Sequence, residues 1–150
     1  MHIRQGTMDD IPALRVIAAD AYAQYVEAIG RKPAPMIANF ENHLRNDIIF
    51  VAMMEPENKV TGYAVLVEKV DGFWLESIAV ATAHNGRGIG TGLIRHVEDY
   101  MSGRATGYQL YTNVRMARNI QWYERLGFLE TGRGVKDGFE RVYFRKTLSP

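Results

Sequence analysis

Apolar residues recur at intervals of three and four along three stretches of the chain, a spacing typical of amphipathic helices. These stretches cover residues 7–29, 90–101 and 116–126. Gly30 follows the first stretch and Gly127 follows the third, and glycine commonly ends helices. Prolines in residues 31–36 oppose helix formation, so we expect only a short helix after them, around residues 39–45.

Runs rich in β-branched and aromatic residues predict the strands. The first three runs cover residues 48–54, 60–68 and 73–80. Turn-forming residues separate them, which favours an antiparallel meander. Further strands are expected at residues 108–113, 128–133 and 140–146. The predicted order is helices, three strands, helix, strand, helix and two strands, within a single domain over residues 1–150.

Composition and charge exclude several classes of protein. Hydrophobic residues make up 47% of the chain and charged residues 23%, as in a folded globular domain. A net charge of +1 gives no sign of a nucleic-acid partner, and no apolar run is long enough to cross a membrane. Acidic residues near the start oppose a secretory leader, so we expect a cytoplasmic protein.

The absence of cysteine excludes a disulfide framework, a thiolate metal site and a cysteine nucleophile. The four histidines lack the spacing of metal ligands, and no metal is expected.

A glycine-rich loop lies between a predicted strand and a predicted helix. Its alternating glycines are Gly86, Gly88, Gly90 and Gly92. Such a loop lets backbone N–H groups and the helix N-terminus bind an anion such as phosphate. No lysine follows the glycines, which excludes a Walker A loop, and their spacing also fails the dinucleotide fingerprint. The alternative is a tight structural turn.

Two segments carry a resemblance to a known family. Residues 85–90 read Asn-Gly-Arg-Gly-Ile-Gly, and residues 122–128 read Trp-Tyr-Glu-Arg-Leu-Gly-Phe. In this order they resemble the GNAT superfamily of acetyl-CoA-dependent N-acetyltransferases. The chain departs from the usual pattern at Asn85, where the family has Gln or Arg, and at Met116, where many members have Asn. The resemblance implies an α/β (α+β) fold with a mixed, mostly antiparallel sheet flanked by helices.

The resemblance also implies acetyl-CoA as co-substrate and a set of residues that bind it. These residues are Ile78, Ala79, Val80, Asn85, Gly86, Arg87, Gly88, Ile89, Gly90, Thr91 and Asn119. Residues 78–80 would pair with the pantetheine arm, and residues 86–91 would hold the pyrophosphate. Asn119 would take the place of the asparagine that is missing at position 116.

Tyr123 corresponds to the family's usual general acid, which protonates the departing CoA thiolate; the alternative is a core aromatic residue. Glu76 is the candidate base, because an alkylamine is mostly protonated at neutral pH and must lose a proton before it attacks. Strand alternation places Glu76 on the face of Ile78 and Val80, provided that no bulge shifts the register. Otherwise it faces solvent or pairs with an arginine.

Tyr22, Tyr25 and residues 31–36 lie where the family's first helices shape the acceptor pocket, although tyrosines at this spacing also suit a core or an interface. The leading hypothesis is an N-acetyltransferase that acts by direct attack of an amine in a ternary complex. The alternative is a non-catalytic module that binds acetyl-CoA or CoA. The acceptor would be a small-molecule or peptide amine, and homodimers are frequent in families of this kind.

Overall fold

A computed structural model describes residues 1–149 of the chain. The α-helices are α1 (Ile11–Tyr22), α2 (Val26–Ile29), α3 (Phe40–Asn46), α4 (Ile89–Met101) and α5 (Ala117–Arg125). The strands are β1 (His2–Gln5), β2 (Ile48–Met54), β3 (Lys59–Lys69), β4 (Gly72–Val80), β5 (Gly107–Asn113), β6 (Leu129–Lys136) and β7 (Phe139–Thr147). No helix in the described part has the length and apolarity needed to cross a membrane.

One mixed sheet contains the strands in the order β1-β2-β3-β4-β5-β7-β6. Neighbouring strands are antiparallel except for β4 and β5, which run parallel. The predicted meander of β2, β3 and β4 is confirmed, and so is the fold class. Strand β1 was not predicted, because its four residues alternate too briefly to give a pattern.

Helices cover both faces of the sheet and create two apolar cores. On one face, α4 contributes Leu93, Ile94 and Val97 to a core that also contains Tyr123 of α5. On the other face, α1 and α3 pack against residues of β2 and β3, among them Tyr63. The middle of the sheet is therefore buried between two helical layers, whereas β6 at its edge is almost entirely exposed.

The first predicted helix is interrupted. A 3-10 turn at Ala23–Tyr25 separates α1 from α2, and Gly30 ends the segment with φ of 87°, as its position predicted. Another 3-10 turn, Ala34–Ile37, forms where prolines led us to expect no helix. Pro35 lies in the first turn, where a backbone N–H has no helical partner to lose. The other helices lie within one or two residues of their predicted positions.

Strands β4 and β5 separate halfway along their length. They pair only at Trp74–Gln109 and Leu75–Leu110, although β4 continues to Val80. Beyond Leu75, the edge of β4 that faces β5 has no strand beside it. This divergence opens the centre of the sheet.

Candidate active site

A cleft of about 430 Å³ lies beside the unpaired end of β4. It is bounded by the end of α1, the glycine-rich loop and one face of α5. The predicted cofactor residues in its lining are Ile78, Ala79, Val80, Asn85, Gly86, Gly88, Ile89, Gly90, Thr91 and Asn119. The structure thus brings together, around one cleft, residues that lie up to 41 positions apart in the sequence.

Backbone groups of β4 face this cleft. Ala81 donates its N–H to Thr61 O at 2.8 Å, on the side of β3. Alternate residues of an antiparallel strand bond to the same neighbour, so the N–H and C=O groups of Ile78 and Val80 point away from β3. The Ile78 carbonyl already accepts a hydrogen bond from the Tyr22 hydroxyl at 2.8 Å. Val80 therefore offers its amide to an extended ligand, as expected for an arm that pairs like an added strand.

The glycine-rich loop ends in the N-terminus of α4. Gly86 and Gly88 both have φ of 77°, a conformation that favours glycine. The first intrahelical bond joins Gly92 N to Gly88 O at 2.9 Å. The N–H groups of the helical residues before Gly92 are left without such a partner, and the positive end of the helix dipole adds to them. Donors of this kind fit a pyrophosphate.

One face of α5 completes the cleft. It contributes two cations and an aromatic ring, from Arg118, Arg125 and Trp122, and their spacing places them on the same side of the helix. The sequence analysis missed these residues, although their spacing was a usable signal. Arg87 is exposed and absent from the lining, with Nη1 3.4 Å from Nδ1 of His84. Its role in binding phosphate stays a prediction.

A second, small cavity of about 40 Å³ adjoins the cleft. Its lining is Tyr22, Pro33, Ala34, Pro35, Leu75, Glu76, Ser77, Tyr111, Thr112, Asn113, Met116, Asn119, Tyr123, Phe139 and Arg141. Tyr22 and Asn119 belong to both linings, so these side chains form a wall that the two spaces share. The prolines form one wall, as expected for a pocket of fixed shape. Tyr25 lines the cleft instead, and burial raises the pKa of its hydroxyl.

Tyr123 is both a core residue and a residue that lines the small cavity. Its ring is buried, with ring centroids 5.8 Å from Phe128 and 6.3 Å from Phe144. Tyr123 also belongs to the lining of the small cavity, and its hydroxyl has no hydrogen-bond partner within residues 1–149. Burial raises the pKa of this hydroxyl, so it stays protonated at neutral pH. The residue therefore offers a permanent donor at the cavity.

Glu76 does not share a face with Ile78 and Val80, so that expectation was wrong. Val65 pairs with Ser77 and Leu66 with Leu75, which leaves Glu76 as the extra residue of a β-bulge. The bulge turns its side chain away from the core that contains Ile78 and into the small cavity. The prediction required a strand without a bulge, and this requirement is not met. Glu76 nevertheless lines the small cavity.

One oxygen of the Glu76 carboxylate accepts no hydrogen bond within the described residues. Oε1 accepts a hydrogen bond from the Tyr111 hydroxyl at 2.8 Å. Oε2 is buried without a hydrogen-bond partner, and Lys69 Nζ lies 3.7 Å from it. Burial and the charge of Glu76 together raise the pKa of Tyr111, which keeps that hydroxyl a donor. Tyr111 and Arg141 were not predicted as site residues, because single polar residues in a strand give no pattern.

Within residues 1–149, no group of three or more metal-ligating side chains is close enough to hold a metal ion.

Comparisons with known proteins agree with this geometry. The model of the acetyltransferase (GNAT) family matches residues 14–128. A search of curated protein sequences finds no match. The fold is similar to the ribosomal-protein-S18-alanine N-acetyltransferase from Escherichia coli, with 22% identity and a TM-score of 0.78 over 99% of this chain and 94% of that one.

Two further structures contain a bound cofactor. The PaiA N-acetyltransferase from Thermoplasma acidophilum, solved with coenzyme A, has 13% identity and a TM-score of 0.80 over 98% of each chain. The yncA protein of Salmonella typhimurium, solved with acetyl-CoA, has 22% identity and a TM-score of 0.70 over 100% of this chain and 95% of that one. At these identities the likeness establishes the fold.

Proposed function

The chain belongs to the acetyltransferase (GNAT) family, and from this premise we propose that it transfers the acetyl group of acetyl-CoA to a primary amine in one ternary complex. One observation carries the proposal: a cleft with unpaired helix N–H groups shares the side chains of Tyr22 and Asn119 with a small cavity that contains a carboxylate oxygen without a hydrogen bond. The donor would occupy the cleft and the acceptor amine would occupy the cavity beside it.

On the donor side, acetyl-CoA supplies an activated acetyl thioester. The N-terminus of α4 and the loop before it would bind the pyrophosphate, with Arg118 and Arg125 nearby as counter-charges. Val80 would pair with the pantetheine arm through its backbone. The same strand edge would aim an N–H at the thioester carbonyl and polarise it.

On the acceptor side, the amine must arrive without its extra proton. Deprotonating an alkylamine with a pKa near 10.4 at pH 7 costs about 4–5 kcal/mol. Glu76 supports this step because Oε2 is buried and has no hydrogen-bond partner. It would hold the ammonium and take its proton, directly or through a water molecule.

Bond making and bond breaking then balance. The amine nitrogen forms a bond to the acetyl carbon, the carbon–sulfur bond breaks, and the nitrogen gives its second proton to solvent. Tyr123 donates a hydrogen bond to the departing thiolate or transfers its proton to it, and in the second case solvent returns a proton to Tyr123. The chain has no cysteine to carry an acyl group, which favours direct transfer to the amine.

The absence of cysteine also gives a clean assay for this proposal. A thiol reagent added to protein, acetyl-CoA and a panel of small and peptide amines reports only released CoA, since the protein contributes no thiol. We expect at least one amine to raise CoA release well above the rate without acceptor. Binding of acetyl-CoA without turnover for any amine would contradict the transfer and favour the non-catalytic module.

Binding is tested separately by thermal unfolding. Acetyl-CoA at a hundredfold excess over its Kd stabilises the fold by about 2.7 kcal/mol, or roughly 5–10 °C for a chain of this length. Gly88→Val should remove this shift, because a side chain at positive φ distorts the loop that holds the phosphates.

Gly103→Val is the matched control. Gly103 also has a positive φ, of 78°, but lies beyond the C-terminus of α4 and outside the cleft. It should lower the melting temperature by a similar amount and keep the acetyl-CoA shift. Loss of the shift in both variants would contradict the assignment of the loop.

A further inference from the structure

Arg141 is a buried cation without an anionic partner. Its side chain lies in the wall of the small cavity, and the residue is only 8% exposed. Within residues 1–149 its guanidinium makes no hydrogen bond and no ion pair. It stacks on the Tyr111 ring, with Cζ 3.8 Å from the ring centroid. The less buried Arg4 and Lys146, in contrast, are each paired with a carboxylate.

Charged side chains of largely buried residues are normally paired or hydrogen-bonded. The Arg141 guanidinium has no such partner among the described residues, and none of its nitrogen atoms is fully enclosed, so its N–H groups face the open space of the cavity. The cation–π contact uses none of the five N–H donors. The arrangement is explained if a ligand in the cavity supplies the missing acceptor.

The same cavity contains a negative charge, on Glu76, and Tyr111 contacts both Glu76 and Arg141. The Tyr111 hydroxyl donates to Glu76, while the Tyr111 ring lies under Arg141. Glu76 and Arg141 form no ion pair with each other. Lys69 Nζ lies 3.7 Å from Glu76 Oε2 and provides a counter-charge, but this oxygen still accepts no hydrogen bond from residues 1–149. A ligand that uses both groups would donate N–H groups to Glu76 and offer an anion to Arg141, a short distance apart.

We propose that the acceptor is a small amine that carries a carboxylate close to its amino group, as an amino acid does, and that Arg141 binds this carboxylate. The fork of N–H donors on a guanidinium matches the two oxygens of a carboxylate. The cavity, about 40 Å³ in volume and bounded by prolines, can hold the compact polar end of such a ligand and excludes a bulky group at this point. The identity of the amine as acetyl acceptor rests on the proposed function, whereas the carboxylate site is a matter of binding alone.

The test compares each of the twenty common L-amino acids with its carboxamide, which keeps the amine and removes the negative charge. Binding is measured by thermal shift and titration calorimetry with CoA present, and kcat/KM is measured by CoA release. We expect at least one amino acid to bind about 10- to 150-fold more tightly than its carboxamide, the range for hydrogen bonds to a charged group.

Variants locate the preference. Arg141→Gln should reduce the ratio of acid to amide affinity to near one, and Arg141→Lys should keep part of it, because the charge remains and the fork is lost. Arg133→Gln is the matched control, since Arg133 is an exposed arginine paired with Glu130 outside the cavity. It should leave the ratio unchanged. A retained CoA-induced thermal shift shows that each variant is folded.

Some results would overturn the proposal. Equal binding of acids and amides by the wild type would do so, and so would an Arg141→Gln variant that weakens both forms equally. Turnover restricted to amines without a carboxylate would also contradict it. Carboxylate-dependent binding without acetyl transfer would instead support the Arg141 site and refute the proposed function, so the two failures are distinguishable.

Discussion

The Tyr123 hydroxyl is the group whose removal tests the mechanism with the least structural damage. Tyr123→Phe deletes one oxygen and keeps the ring, and with it the packing against Phe128 and Phe144. The hydroxyl has no partner within residues 1–149, so its removal leaves no donor or acceptor unsatisfied. We therefore expect the free energy of unfolding to change by less than about 1 kcal/mol.

Turnover should respond far more strongly than stability. A hydrogen bond to a charged group contributes about 1.5–3 kcal/mol. If Tyr123 stabilises the leaving thiolate to that extent, kcat falls roughly 10- to 150-fold while the affinity for acetyl-CoA is kept. Burial raises the pKa of Tyr123, so the hydroxyl stays protonated. The kcat profiles of variant and wild type should therefore run parallel between about pH 7 and 9.

Tyr108→Phe is the matched control for this experiment. The Tyr108 hydroxyl donates to Glu98 Oε2 at 2.6 Å, outside both spaces of the site. Loss of this hydrogen bond to a carboxylate should cost about 1.5–3 kcal/mol of stability, or roughly 3–12 °C, without lowering kcat. Both variants are compared by thermal unfolding and by CoA release at saturating acetyl-CoA. An unchanged kcat in Tyr123→Phe would refute the acid role and leave Tyr123 as a core residue.

Two further predictions concern carboxylates. Glu76→Gln keeps an acceptor for Tyr111 but removes the base, so kcat/KM should fall most below the acceptor's pKa and recover as pH rises; a profile parallel to the wild type would exclude the base role. The Arg4 guanidinium lowers the pKa of Asp10, so their pairing stabilises the fold above about pH 4 and is lost as pH falls through the lower folded value. Asp10→Asn should therefore lower the free energy of unfolding, measured by urea denaturation at pH 7, by about 1–2 kcal/mol. The difference between wild type and variant should be smaller at pH 3, and an equal difference at both pH values would count against the ion pair.

The elements that could be predicted from the sequence are those with a local cause. The strands of the meander have apolar runs bounded by turn residues, and the ends of α2 and α5 have glycines at positive φ. Strand β1 and the break between α1 and α2 have no such cause. Strand β1 forms because β2 offers a free edge, with Ile3 opposite Ala52, and no pattern within four residues can indicate this.

The proposed phosphate-binding part of the cleft could be predicted for the same reason. Gly86, Gly88 and the start of α4 are adjacent in the chain, so their geometry follows from one segment. Arg118 and Arg125 belong to the same cleft but come from a helix whose orientation depends on the whole fold. The sequence spacing predicts that Arg118 and Arg125 share a helix face, but it does not predict that this face borders the cleft.

The small cavity, which we propose as the acceptor site, depends on one extra residue in β4. Without the bulge, alternation would turn Glu76 towards the core on the α4 side, where a carboxylate would be buried among apolar side chains. With it, Glu76 lies beside Tyr111, and the ring of Tyr111 supports Arg141 from a third strand. The charge pair of this cavity therefore arises from a register shift that becomes definite only when β3, β4, β5 and β7 are assembled. The extra residue, Glu76, lies directly after the last β4–β5 pair. Because bulges bend strands and disrupt pairing locally, the bulge explains why the sheet opens at this point, beside the cleft for the cofactor.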